Sequence, residues 1–175
     1  MKKTLYLKFL LAYVIFGIFG FIIISVFVPK LTVEQLTREK ANTLYSEATL
    51  IADRYGSGLY TSDTSLESVK NQLDALSVYL DSDIWIINPS GRMVLTTEYP
   101  LNVDEVVIIE NFDPTLTANS YYNVSNFFDY YGEAMLNVIA PITTNYKVNG
   151  YVVIHASMAS VYESSNSLLT ISYIT

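Results

Sequence analysis

The chain contains no cysteine and a single histidine in 175 residues. Without cysteine there are no disulfides, thiolate metal sites, iron–sulfur clusters or cysteine nucleophiles, and disulfides give no indication of compartment. The lone histidine, His155, sits in the strand-like run 151–156, and no second histidine exists to complete a His-Glu-x-x-His pair. Neither a Gly-x-Ser-x-Gly elbow nor a phosphate-cradling glycine loop occurs among the seven glycines, so nothing in the chain reads as catalytic. Charge is scarce as well. Charged residues are 15% of the chain, against roughly 25% in an average soluble protein. Basic charge is scarcest after Pro29, where seven basic residues face 17 acidic ones, a balance of −10. Such a surface lacks the basic footprint that phosphate binding requires, which excludes nucleic acid as a partner.

What replaces charge is apolar surface, concentrated at the N-terminus. Residues 9–28 are twenty positions without a charge. At about 1.5 Å of rise per residue they match a hydrocarbon core about 30 Å thick, so they are expected to span a membrane. A cleaved signal peptide is the competing reading, but its apolar run is shorter and ends at small residues, whereas this one closes on Val26, Phe27, Val28 and Pro29. Lys2, Lys3 and Lys8 place residues 1–8 in the cytoplasm by the positive-inside rule and the acidic remainder outside a bacterial cell membrane. Residues 167–175 turn apolar again for nine positions. They read as the start of a second membrane helix cut short, or as a helix docking on its own domain.

Between these segments the periodicity changes twice. Val33, Leu36, Ala41, Leu44, Ala48, Ile51 and Tyr55 fall on one helical arc, so the membrane helix is expected to continue as an amphipathic helix. Pro29 is a candidate kink and Gly56 to Gly58 a stop. Thr64 and Ser65 precede a second helix with Leu66, Val69, Leu73, Leu76 and Leu80 in a seven-residue repeat. From Ile84 the pattern is strand, turn at residues 88–91, and strand over 92–97, with Gly91 free to take a positive φ. Residues 98–120 form a long excursion with one or two helical turns. Three antiparallel strands follow over 121–130, 133–143 and 148–156, with the last hairpin turning somewhere in 145–150 or at Asn149 and Gly150 themselves. Beyond Ser157 the chain turns helical.

This order of elements resembles the PAS-like, single Cache type extracytoplasmic sensor domain of bacterial transmembrane sensor histidine kinases. The likeness is carried by residues 83–95, the strand around Ala140, Pro141 and Ile142, and residues 148–158. It implies an α+β domain over residues 29–166, with a five-stranded antiparallel sheet, the long N-terminal helix and a second helix packed on it. It also implies a two-component signalling parent. Such a protein detects an extracellular stimulus, dimerises, continues into a cytoplasmic autokinase that uses ATP, and signals to a response regulator. Chemoreceptors and membrane diguanylate cyclases resemble this region too, and a membrane-tethered binding module without enzymatic output is the reading of a different class. No cofactor is expected in these 175 residues.

Residues 121–131 hold six aromatics in eleven positions. Doubled aromatics on a strand put rings on both faces, one for the core and one for a small-molecule or peptide pocket, or simply fill the core and cover an edge. Tyr121, Tyr122, Phe128 and Tyr130 are therefore candidate ligand residues beside the 98–120 excursion. Arg92 and His155 join them as the donors available to an anionic ligand, with Lys147 in the last hairpin. His155 is either a satisfied residue of the sheet or a ligand contact, and its ordinary pKa also makes it a candidate pH sensor. The acidic residues Asp81, Asp83, Asp104, Glu105, Glu110 and Asp113 lack calcium-loop spacing and read as a solvated surface rather than a metal site.

Overall fold

The computed structural model describes residues 2–56, 58, 65–100, 106–117, 121–163 and 165. They fall into two compact units, Met1–Leu36 with Tyr162–Thr175, and Thr37–Val161. In the first unit the helix α1 (Lys2–Ile51) begins. Side chains at 6–28 are exposed apart from partial cover at Gly20 and Ser25. It is long and apolar enough to cross a membrane. Pro29 lies inside it, and α1 runs on without a break. There Thr32 donates its hydroxyl to the Val28 carbonyl at 2.9 Å, one turn back, beside the position where proline supplies no N–H. The expected second membrane segment, residues 167–175, lies outside the described residues.

In the second unit α1 buries Thr37, Ala41, Leu44, Ala48 and Ile51, alternating steps of four and three that form one narrow seam. The helix ends in a π-helical turn, Ala52–Gly56, that packs on the sheet, close to the expected stop. Helix α2 (Leu66–Leu80) starts at Ser65, whose side chain accepts from the Ser68 N–H at 3.3 Å, and ends at Asp81 in the left-handed region. Lys40 reaches from α1 to the Leu80 carbonyl at 3.0 Å, satisfying one of the orphan acceptors of the α2 terminus.

The sheet has five antiparallel strands, β1 (Asp83–Ile87), β2 (Met93–Thr96), β3 (Tyr122–Ser125), β4 (Met135–Thr144) and β5 (Lys147–Ser157), in the spatial order 2-1-5-4-3. The sequence and structure disagree at two places. First, the expected strand over 121–130 stops at Ser125, and Phe127, Phe128 and Asp129 all take positive φ (46°, 54° and 62°), coiling residues 126–131 into a tight aromatic turn. Alternation along a strand therefore does not dispose these rings. Second, the last hairpin turns at Asn145 and Tyr146, both at positive φ and within the expected 145–150 segment, whereas the alternative turn at Asn149 and Gly150 fails because Gly150 lies inside β5. A two-residue left-handed turn matches strand twist, and asparagine tolerates it. Of the excursion, Pro114–Thr117 forms one 3-10 turn, while residues 101–105 and 118–120 lie outside the described residues.

Registers fix two faces. Ile84, Ile86, Leu136, Val138, Ala140, Val152, Ile154 and Ala156 share one, and all are buried. Trp85, Ile87, Asn137, Ile139, Val153 and His155 share the other, which is covered by Ile109, Phe112 and the aromatic turn. Gly91 anchors that cover. Its carbonyl accepts from the Ile109 N–H at 2.9 Å, and at φ 82° a Cβ would lie 2.7 Å from the Ile109 carbonyl oxygen and 2.9 Å from Phe112 Cβ. Gly91→Ala is accordingly expected to cost about 2 kcal/mol or more, from left-handed strain plus the clash. Gly132→Ala, with nothing within 4 Å, is expected to fall within about 0.5 kcal/mol of the parent. Chemical denaturation followed by circular dichroism checks both, and equal losses would contradict this placement of Gly91.

Candidate functional site

The face of the sheet turned towards the aromatic turn carries an unusual density of rings around Trp85. Its indole is fully buried, with ring centroids of His155 at 4.3 Å, Tyr130 at 4.6 Å, Phe127 at 5.6 Å and Tyr131 at 5.7 Å. Phe127 and Tyr131 lie 4.4 Å and 5.1 Å from His155, closing the box. Backbone bonds hold the turn in place, from Tyr130 N–H to the Phe127 carbonyl (3.1 Å) and from Tyr131 N–H to the Asn126 carbonyl (3.0 Å). Three consecutive non-glycine residues in the left-handed region store strain, since each costs of order 1 kcal/mol. Ring packing on Trp85 and Phe112 offsets it.

Polar chemistry is embedded in this apolar setting. His155 is fully buried, and its Nδ1 lies 2.7 Å from Asn137 Oδ1. The Asn137 amide nitrogen is surrounded by oxygens of Asn123, Ser125 and Met135 at 2.9 to 3.1 Å, so its carbonyl oxygen must be the atom facing the ring. His155 Nδ1 therefore carries the proton and donates, and Nε2 is left as a bare acceptor. That Nε2 has no partner, and neither have Trp85 Nε1 and the Tyr131 hydroxyl. Three buried, unsatisfied polar atoms in one cluster of touching rings cost about 1–3 kcal/mol each. Each such atom in a native interior calls for an explanation, whether local strain, an ordered water or ion, or a functional role.

At the rim, Asp83 sits across the strand pair from His155, and Glu98 accepts from the Tyr130 hydroxyl at 3.1 Å. Burial pushes the Asp83 carboxyl above its ordinary pKa, with Asp81 adding to the effect. Burial does the same to Glu98, partly opposed by the Tyr130 hydrogen bond. Both tyrosine hydroxyls are raised, Tyr130 by burial and then Glu98, Tyr131 by burial and then Asp83 and Glu98. Burial lowers His155 to about 3, so the imidazole is neutral from pH 8 to pH 5. This corrects the expectation that His155 can sense pH in that interval, because the desolvated site excludes the charged form.

Of the candidate residues, Phe128, Tyr130 and His155 come together at this face, Phe128 through Phe127 and Phe112. Tyr121 and Tyr122 do not. Tyr121 packs on Tyr45 of α1 at 5.0 Å, hydrogen-bonds Asn42, and has Tyr122 as its neighbour at 5.3 Å. Arg92 and Lys147 are exposed, so the donor set for an anion does not assemble. Among the described residues no three His, Asp or Glu side chains gather to hold a metal. Sequence reasoning missed Trp85, Phe127, Tyr131, Asn137 and Asp83 as site residues. The parity of 83, 85 and 87 against 151, 153 and 155 carries part of that signal once β1 and β5 are paired.

The α+β architecture, a long N-terminal helix on an antiparallel sheet of order 2-1-5-4-3, is the PAS-like fold of Cache sensor domains. The sensor domain of the V. cholerae histidine kinase DctB is similar to it, with TM-score 0.52 and 16% identity over 78% of this chain and 57% of that one. The ligand-binding domain of the Campylobacter jejuni chemoreceptor Tlp3, solved with 4-methylisoleucine, gives TM-score 0.45 and 12% identity over 79% and 64%. The chain thus spans 57% and 64% of the lengths of these two domains. No family model and no curated protein matches the chain.

Since His155 is the only histidine, a histidine-selective NMR spectrum of the full chain reports this site alone. We expect a neutral Nδ1–H tautomer at every pH between 5 and 8; a titration midpoint of 6 to 7 would refute the buried geometry. With its folded pKa depressed from 6.5 to about 3, His155 stabilises the fold above pH 6.5, and that contribution is lost as pH falls towards 3. The loss reaches roughly 2–3 kcal/mol by about pH 4.5.

Proposed function

We propose that this chain is the sensing input of a membrane-bound two-component histidine kinase, with residues 1–8 cytoplasmic and the sheet domain outside the cell. The observation that carries this reading is the aromatic box, a buried site with unpartnered hydrogen-bonding atoms on the sheet face opposite the α1 seam. A sheet covered by a signalling helix on one face and a ligand site on the other can convert occupancy into displacement. A small molecule seated among Trp85, Tyr131 and His155 must move the 126–131 turn or the sheet, and the sheet packs against the π-helical turn Ala52–Gly56 that ends α1. That helix is continuous from Lys2 to Ile51, so a shift of its seam is delivered to the membrane segment. The ligand acts only through a difference in affinity for two packings of helix on sheet. Pairing of two copies through α1 would pass the displacement to an ATP-dependent autokinase on the cytoplasmic side, and from there to a response regulator.

Joining the chain, through a complete second membrane helix, to the dimerisation and ATP-binding region of a characterised histidine kinase tests this in membrane vesicles. With a panel of amino acids, carboxylic acids, amines and sugars outside, at least one class is expected to change autophosphorylation several-fold. The response is expected to disappear in Trp85→Phe, which removes one unpartnered donor and part of the box. A chimera that phosphorylates at one rate under every condition, in parent and variant alike, contradicts the reading.

A further inference from the structure

One row of polar residues crosses four strands on the face that carries Trp85. The registers set Asp83 of β1 opposite His155 of β5, His155 opposite Asn137 of β4, and Asn137 opposite Asn123 of β3. Residues directly opposite on neighbouring strands share a face, with Cβ atoms about 5 Å apart. Three of the four are already joined. The Asn137 amide donates to Asn123 Oδ1 at 2.9 Å, and its carbonyl oxygen accepts from His155 Nδ1 at 2.7 Å. There the row breaks. His155 Nε2 is a buried acceptor without a donor, and Asp83, the neighbour on that side, has no proton to give while it is ionised. Asp83 is half-buried where His155 is fully buried, so it can exchange a proton with solvent.

We propose that Asp83 is a proton-binding site through which the domain reads acidity outside the cell: Asp83 takes a proton from solvent, donates it in a hydrogen bond to His155 Nε2, and completes the row from β1 to β3. This rests on the sensing role argued above only in placing the domain outside. The groups around Asp83 favour uptake. Asp81 caps α2 two residues back, Glu98 lies in the segment after β2 with Tyr130 and Tyr99 beside it, and the Tyr131 hydroxyl belongs to the turn that covers this face. None of them is cationic. Lys40, the cation that reaches this corner, is engaged by the Leu80 carbonyl at 3.0 Å. Burial and then Asp81 hold the Asp83 carboxyl above its ordinary value of 3.8, while burial disfavours the imidazolium, so the shared proton stays on Asp83. A carboxyl raised in the folded state stabilises the fold at low pH, and that contribution is lost as pH rises through its folded value. Ionisation also breaks the bond to His155 and sets Asp83 against Glu98, which holds the 126–131 turn through the Tyr130 hydroxyl at 3.1 Å. Acid therefore tightens this face and neutrality loosens it.

The test uses the full chain in lipid nanodiscs, with the proton as the only ligand and pH lowered from about 8 to about 4. The nitrogen NMR resonance of His155 Nε2 is expected to move from the free to the hydrogen-bonded position without protonation, with a midpoint above 3.8, and Trp85 emission to shift with the same midpoint. Asp83→Asn keeps the side-chain shape and donates permanently through its amide, so it is expected to show the low-pH resonance and emission at every pH. It is also expected to melt higher than the parent at about pH 8, by a margin that closes as pH falls through the carboxylate range. Glu98→Gln removes a neighbouring negative charge and is expected to keep the transition and move it to lower pH. A parent whose Nε2 resonance and Trp85 emission stay constant over this range overturns the proposal. So does an Asp83→Asn variant that titrates as the parent does, or one that melts lower than the parent at about pH 8. None of these readings needs an output domain, so failure of the sensing role shows separately, as a chimera insensitive to stimuli of every class.

Discussion

The central strands β4 and β5 place buried side chains on both faces, Leu136, Val138, Val152 and Ile154 on one and Asn137, Ile139, Val153 and His155 on the other. A sheet apolar on both sides cannot be left half bare, so each face requires its own cover, and most of the domain is arranged to supply the two. Helix α2 and the π-helical turn that ends α1 close one side. Among the described residues no α-helix closes the other. Its cover is built from Ile109, Phe112 and the 126–131 turn, held by the Gly91 carbonyl and by three left-handed residues in a row.

The two covers differ in a way that bears on function. The helical cover is regular, with buried side chains at periodic spacing that are apolar apart from Thr37 and Lys70. The aromatic cover is irregular and strained, and it encloses polar atoms that the protein itself does not satisfy. Asn137 illustrates the arrangement. Its amide is tied down by Asn123, Ser125 and Met135, which fixes the proton of His155 on Nδ1 and aims a bare lone pair into the rings. Interactions that could have been completed with one more side chain are left open at that place. A site maintained at such a cost is a natural one for a ligand whose binding changes how the turn sits on the sheet.

Much of the architecture was legible from periodicity. The α1 seam, the α2 repeat with its Ser65 cap, the hairpin with Gly91 at positive φ, and the long apolar strands each follow from local pattern and turn chemistry. What was not legible is where local pattern is overruled. Phe127, Phe128 and Asp129 have strand-like neighbours but coil left-handed, because rings packed on Trp85 and Phe112 outweigh the backbone cost, and that packing is set by residues distant in sequence. The same non-local cause split the six aromatics between a helix contact at Tyr121 and the box at Tyr130 and Tyr131. Single-residue chemistry pointed correctly to His155 as notable, but its neutrality depends on full burial, which one sequence does not reveal.

Trp85 is the only tryptophan in the chain, and it is the centre of the box, so its fluorescence measures the central claim directly. Acrylamide quenching of the full chain in nanodiscs is predicted to find a protected indole with blue-shifted emission, and a ligand that activates signalling is predicted to alter both. An indole quenched as readily as free tryptophan, or one indifferent to a ligand that drives the output, would contradict the account.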